Sequence, residues 1–384
     1  MKFEFATSQR ILFGPGTIKD LGKLVGYLGG RALLVRGSGN APLQSALESL
    51  NQAGLAVSQY PLANEPDLVA VQAGLDIARS EACDVIVGIG GGSVMDCAKA
   101  LAALLANRGN IMDYLEVVGK GLPLSNPSLP MIAVPTTAGT GAEVTRNAVI
   151  AVPELKVKVS MRSPYMLPRV ALVDPELTYS TPPAVTAGSG LDALTQNIEA
   201  YTTLVHNPIT DSLAREGITR AARSLKVVYD HGDDAAARED MALASLFGGL
   251  CLANSGLGAV HGFAGVLGGM YNAPHGPICG RLLPGVIRAN IQALESDGEQ
   301  SFILERYLEI SRHLCGDPEA DLLAGSAWLE KALEHFQIKR LGEYGVKLEA
   351  LDEIVTKSQA ASSMKKNPIV LNGEALRAIL EEAL

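Results

Sequence analysis

The sequence predicts a doubly wound α/β domain followed by an all-helical domain, with the boundary at residue 181. Three observations carry this expectation. Short apolar runs alternate with helical patterns through the first half, as in a mostly parallel sheet covered by helices. Several runs are apolar at successive positions, which strands buried on both faces require. The β-type runs then largely vanish after Thr181, Pro182 and Pro183, where each proline biases its predecessor away from helix.

Candidate strands fall at 31–35, 84–88, 131–134, 147–151 and 170–173, with helical patterns at 42–53, 67–80 and 94–106. Residues 1–13, with Phe3, Phe5, Ile11 and Phe13, read as an extended strand and not as a signal peptide. The second half carries helical patterns at 190–203, 209–229, 235–254, 301–315, 319–336, 348–358 and 373–384. The expected domains are therefore 1–181 and 182–384, a size that suits a chain of 384 residues.

Composition narrows the function. Hydrophobic residues make up 47% and charged residues 19%, which supports a large core and argues against disorder. The formal net charge of -9 argues against a nucleic-acid partner, which would need a basic surface. No apolar run reaches membrane-spanning length. The cysteines, Cys83, Cys97, Cys251, Cys279 and Cys315, are odd in number and scattered, so they read as reduced thiols of a cytoplasmic protein. Cys251 and Cys279 read as small buried apolar residues.

Two loops carry signs of cofactor binding. Gly90, Gly91, Gly92 and Ser93, with Asp96 a turn later, follow a buried strand and open a helix. Glycines allow close approach to a pyrophosphate, Ser93 is a natural N-cap, and a helix start offers free N–H groups. A plain tight turn is the alternative, because the spacing is not G-x-G-x-x-G. Thr136, Thr137, Thr140 and Thr145 lie on a second glycine-loosened loop that runs to Asn147, and such hydroxyls suit phosphate and ribose. Lys158 follows as a further cofactor contact, or as a solvated edge lysine. At the end of the first strand stand Arg36, Gly37, Ser38, Gly39 and Asn40. An acidic residue there would select NAD; its absence, with Arg36 nearby, favours NADP(H).

The stretch from Gly188 to His275 carries the candidate metal ligands. Asp192 and Gln196 are four apart in a helical run and share one face. His261 and His275 follow in glycine-flanked positions. An aspartate oxygen, an amide oxygen and two imidazoles suit zinc or iron(II).

These motifs together resemble the iron-containing, or group III, alcohol dehydrogenase family. The resemblance spans nearly the whole chain: Phe-Gly-Pro-Gly at 13–16, the glycines and Ser93 with Asp96, Pro-Thr-Thr-Ala-Gly-Thr-Gly-Ala-Glu at 135–143, Val-Asp-Pro at 173–175, Leu-Asp-Ala-Leu at 191–194 with Glu-Ala-Tyr at 199–201, and Gly-Gly-Met-Tyr-Asn-Ala-Pro-His-Gly at 268–276. It implies a Rossmann-like dinucleotide-binding domain, a helical domain and a catalytic metal in the cleft between them, the dehydroquinate synthase-like architecture. It also implies hydride transfer between a nicotinamide, NAD or NADP, and a small alcohol or aldehyde. A homodimer or larger homo-oligomer is implied as well.

In the family the metal is held by an Asp, a His four residues later and two further His. Asp192, His261 and His275 match; Gln196 replaces the second ligand. Gly265 stands where a further histidine is often found near the nicotinamide. A neutral amide is a weaker donor than imidazole, so the metal is expected to bind less tightly, or Gln196 to donate to the substrate carbonyl directly. Gly265, beside Phe263, suggests a roomier apolar pocket for a larger aldehyde. Two other readings share the resemblance: a metal-independent reductase like the maleylacetate reductases, and a lyase like the dehydroquinate synthases. The lyase would need more basic side chains than Lys158 and Arg281.

Overall fold

The structure is a computed structural model and describes residues 2–37, 41–298 and 301–384. The chain divides into two compact units. One is Ala6–Thr181; the other is Pro182–Leu384 joined by the N-terminal residues through Phe5.

The first unit contains β1 (Arg10–Phe13), α1 (Leu21–Leu28), β2 (Arg31–Arg36), α2 (Ala41–Gln52), β3 (Ala56–Pro61), α3 (Leu68–Ser80), β4 (Val85–Gly90), α4 (Gly92–Ala106), α5 (Ile111–Tyr114), β5 (Met131–Pro135), β6 (Asn147–Val152), β7 (Val157–Arg162) and β8 (Val170–Val173). Six strands form a parallel sheet in the order β1-β8-β5-β4-β2-β3. Both faces are covered, and the alternation of side chains divides the core in two. Leu33, Val35, Ile86 and Ala133 face one cluster; Ala32, Leu34, Val87, Ile132 and Val134 face the other.

Three features differ from the sequence pattern. The strand expected at 147–151 is β6, which stands outside the parallel sheet and pairs antiparallel with β7. The short turn between them, with Lys156 at φ 54, reverses the chain directly, and β6 alternates buried with more open positions. Strand β3 escaped the pattern because it is a sheet edge interrupted by Ser58 and Gln59. The N-terminal strand is confined to Arg10–Phe13. Its exit turn is fixed by Asp174, which accepts from the backbone N–H of Gly16 at 3.2 Å and of Ile18 at 3.0 Å.

The second unit is helical: α6 (Pro183–Thr202), α7 (Pro208–Asp230), α8 (Ala235–Asn254), α9 (Ala259–Tyr271), α10 (His275–Asp297), α11 (Ser301–Cys315), α12 (Ala324–His335), α13 (Leu351–Gln359) and α14 (Gly373–Ala383). Polar side chains cap several starts: Asn207 accepts from the N–H groups of Ile209 and Thr210, and Asp234 from that of Ala237. Helix α6 starts earlier than the prolines suggested, because proline is well suited to a first helical turn.

Within this unit, helices α9 and α10 are the ones the sequence pattern did not isolate. Helix α9 is glycine and apolar residues almost throughout, so it shows no polar face to set a period. Helix α10 carries an internal proline, Pro284. Between them Asn272, in the left-handed region at φ 50, ends one helix before Pro274 precedes the next.

Helix α6 is buried along most of its length, in contact with α7, α8 and α10. Missing side chains make this possible. A Cβ on Gly276 would lie 2.1 Å from the carbonyl oxygen of Gly188, so α6 and α10 touch backbone to backbone there. Among the described residues no single helix is long and apolar enough to cross a membrane.

Candidate active site

Helix α6 presents Asp192, Gln196 and Glu199 from successive turns, all buried. His261 comes from the first turn of α9 and His275 opens α10. Asp192 Oδ1 lies 3.2 Å from His261 Nε2 and 3.8 Å from His275 Nε2. The structure thus brings together three of the four residues expected as ligands. It adds a fourth donor: Cys279, one turn after His275, places Sγ 3.8 Å from His261 Nε2. The donor atoms of Asp192, His261, His275 and Cys279 all lie within 4.8 Å of one another.

His261 is held from behind. Its Nδ1 is 2.6 Å from Glu199 Oε2, and Glu199 Oε1 accepts from the Val260 N–H at 2.7 Å. Donation of Nδ1–H to Glu199 fixes the tautomer that leaves Nε2 facing Asp192. Burial alone would raise the Asp192 carboxyl, yet His275, His261 and the Gln196 amide hold it below its usual value. Burial opposes charge on both imidazoles, but Cys279 and Asp192 raise both, His275 to about 9. A centre built from oxygen, nitrogen and sulfur donors, buried at Asp192 and Cys279 and partly open at His275, fits a divalent metal ion.

Gln196 meets the cluster differently from the expectation of an amide-oxygen ligand. Its amide N–H hydrogen-bonds Asp192. Its Oε1 is buried without a hydrogen-bond partner and lies 3.2 Å from where a Cβ on Gly248 would stand. Phe263, expected to line a substrate pocket, is completely buried; its ring packs the core of the helical unit. Gly265 is exposed, and nothing lies within 4 Å of the position its Cβ would take.

In the α/β unit, β4 ends at Gly90 and α4 begins at Gly92, with Gly91 as N-cap. Ser93 therefore sits inside the first turn and does not cap the helix, contrary to the sequence expectation. The threonine loop lies against this turn. A Cβ on Gly91 would be 3.3 Å from Thr137 Oγ1, and one on Gly92 would be 2.9 Å from Thr140 Cγ2. The Thr136 N–H donates to the Gly90 carbonyl at 2.9 Å.

Thr145 and Asp96 turn inward instead. The buried Lys99 ammonium donates to Thr145 Oγ1 at 2.9 Å and pairs with Asp96 at 3.5 Å. Burial pushes Lys99 down and Asp96 up, each against the pull of the other. Both residues therefore brace the loop from beneath, and Thr145 offers no surface hydroxyl. Lys158 is tied to Glu65 in an ion pair, and Asn147 opens β6 opposite Arg162. Gly37 donates to the Ile89 carbonyl at 3.2 Å, beside the glycine turn that opens α4. Ser38 and Gly39 lie outside the described residues. Arg36 donates to Gln59 Oε1 at 3.1 Å and to the Gly37 carbonyl at 3.3 Å.

Sequence reasoning missed the roles of Glu199, Lys99 and Cys279. Glu199 lies seven residues after Asp192, two helical turns along the same face, a spacing that would have pointed to it. Lys99 was visible as one of two charges, with Asp96, in an otherwise apolar helix. Cys279 lies four residues after His275, the same helical interval that linked Asp192 to Gln196.

Residues 8–175 match the family model described as iron-containing alcohol dehydrogenase, and residues 186–384 match that of the Fe-containing alcohol dehydrogenase family, C-terminal. The chain is 39% identical over 298 residues to 1,3-propanediol dehydrogenase of Klebsiella pneumoniae, covering 76% of each protein. It is 35% identical over 379 residues to alcohol dehydrogenase 4 of Schizosaccharomyces pombe, covering 97% of this chain and 87% of the relative. The crystal structure of a 1,3-propanediol oxidoreductase superposes with a TM-score of 0.92 at 32% identity, covering all of both chains.

Proposed function

The chain belongs to the iron-containing alcohol dehydrogenase family of oxidoreductases, and on that premise we propose that it interconverts an alcohol and its aldehyde with NADP(H) and a divalent metal, iron(II) or zinc(II). The observation that carries the metal is the convergence of Asp192, His261 and His275, with Gln196 at the remaining family position. Bound there, the ion supplies Lewis-acid polarisation of a carbonyl oxygen, and the nicotinamide supplies or accepts the hydride.

The chain's own residues do the rest. Asp192 contributes the carboxylate charge, and the Gln196 amide steadies it. Glu199 keeps His261 in one tautomer and one orientation. Gly90, Gly91 and Gly92 with the start of α4 receive the pyrophosphate, flanked by Thr137 and Thr140. The absence of an acidic residue after β2, together with Arg36, supports NADP(H) over NAD. The open space at Gly265 supports an aldehyde larger than the short-chain ones.

The test is an assay of purified protein with a panel of aldehydes and alcohols, run with NADPH and NADH in parallel, before and after chelation. Activity lost on chelation, restored by iron(II) or zinc(II) and faster with NADPH is the expected result. Activity that survives complete metal removal would reassign the chain to the metal-independent reductase type. A marked preference for NADH would overturn the cofactor reading.

A further inference from the structure

We propose that Cys279 binds the metal as a thiolate and is its fourth protein ligand, in the place that Gln196 would take by position. The inference rests on the metal-assisted reading above and concerns which atoms make up the donor set.

Two observations carry it. The first is the placement of the sulfur. Cys279 Sγ is 3.8 Å from His261 Nε2, His261 Nε2 is 3.2 Å from Asp192 Oδ1, and that oxygen is 3.8 Å from His275 Nε2. Bond lengths of about 2.0 Å to oxygen or nitrogen and about 2.3 Å to sulfur put neighbouring donors of a tetrahedral zinc roughly 3.3–3.6 Å apart. The observed separations fall close to that spacing. His275 and Cys279 share one face of α10, so a single helix supplies an imidazole and a sulfur to the same centre.

The second observation is the direction of Gln196. Its amide N–H is spent on Asp192, and an amide N–H is a donor that cannot ligate a cation. Its oxygen lies by Gly248 of α8 with no hydrogen-bond partner. Gln196 therefore acts as a positioning residue for Asp192.

On binding, the Cys279 S–H bond breaks, its proton goes to solvent and a sulfur–metal bond forms, with no change of oxidation state. A soft sulfur donor favours zinc.

The test is cobalt(II) substitution, read by absorption. Ligand-field bands report that the ion is bound; a near-ultraviolet sulfur-to-cobalt charge-transfer band reports the thiolate. The expected result is that native protein shows both, Cys279→Ser loses the charge-transfer band, and Gln196→Ala keeps it. Ligand-field bands without charge transfer in native protein would overturn the thiolate and leave the metal reading standing. Charge transfer that persists in Cys279→Ser would also overturn it. Failure of native protein to bind cobalt(II) or zinc(II) would sink both. X-ray absorption on native zinc-loaded protein gives an answer independent of any variant: one sulfur at about 2.3 Å is expected, and a shell of nitrogen and oxygen alone would refute the assignment.

Discussion

Glu199 Oε2 stands 2.6 Å from His261 Nδ1, and the other oxygen of the same carboxylate accepts from the Val260 N–H. One buried carboxylate thus grips both the backbone and the ring at the start of α9. Its two oxygens are spent on the ring and the backbone of α9, so its contribution is orientation. Removing such a partner of a ligating imidazole typically weakens metal binding about 10–100-fold. Glu199→Ala should do so, with Glu199→Gln falling between because its amide oxygen still accepts from Nδ1–H. Chelator competition measures it; unchanged affinity in both variants would remove Glu199 from the metal's support.

Gly92 packs against Thr140, and a Cβ there would approach Thr140 Cγ2 to 2.9 Å. Gly92→Ala should push the threonine loop off the start of α4. Nicotinamide-dinucleotide affinity, followed by cofactor fluorescence, should drop several-fold while the metal content stays unchanged. Equal cofactor affinity in the variant would show that this turn does not form the pyrophosphate site.

Gly265 sits in the interior of α9 with open space where a side chain would go. Glycine within a helix costs about 0.5–1 kcal/mol relative to alanine. Gly265→Ala should therefore raise stability by that order, seen as a higher Tm. If the space receives substrate, the same variant raises KM for bulky aldehydes and spares small ones. A uniform KM across the panel would place the substrate elsewhere.

Asp240 accepts from Arg223 at 2.7 Å, from Arg220 at 2.6 Å and from Ser224 at 2.7 Å. Burial works against the charge, but Arg223, Ser224 and Arg220 together hold this carboxyl below its ordinary value. A carboxyl lowered on folding adds stability above its unfolded pKa, about 3.9. That contribution fades as acid takes the pH below this value and through the folded pKa. Asp240→Asn should cost about 1–2 kcal/mol at neutral pH and flatten the decline of stability below pH about 4. Parallel acid-unfolding curves for variant and native protein would contradict this.

Legibility differed by element for physical reasons. The strands at 31–35, 84–88 and 131–134 were readable because burial on both faces demands unbroken apolar runs, and they appear as β2, β4 and β5. The hairpin partner β7 was not, since Val157, Val159 and Met161 alternate with Lys158, Ser160 and Arg162, the pattern of a half-exposed strand and not the unbroken apolar run of a buried one. Helices α7 and α11 declared themselves by period. Helix α9 could not, because a segment apolar on every side has no period to read. In the candidate metal site, the sequence motifs pointed to Asp192, His261 and His275, whose donor atoms lie close together in the fold. Cys279 read as a small buried residue, which it is, and nothing in its sequence context announced that imidazoles stand beside it.

The backbone contact between Gly188 and Gly276 has a further consequence. These two residues lie four before Asp192 and one after His275, so the thickness of the seam between α6 and α10 sets how far apart carboxylate and imidazole stand. A single methyl at either glycine would act as a shim, prising open the span between Asp192 and His275 that a bound cation would bridge. The pair works as a fixed gauge block, and the gap it defines is governed by hydrogen atoms where every other residue would bring carbon.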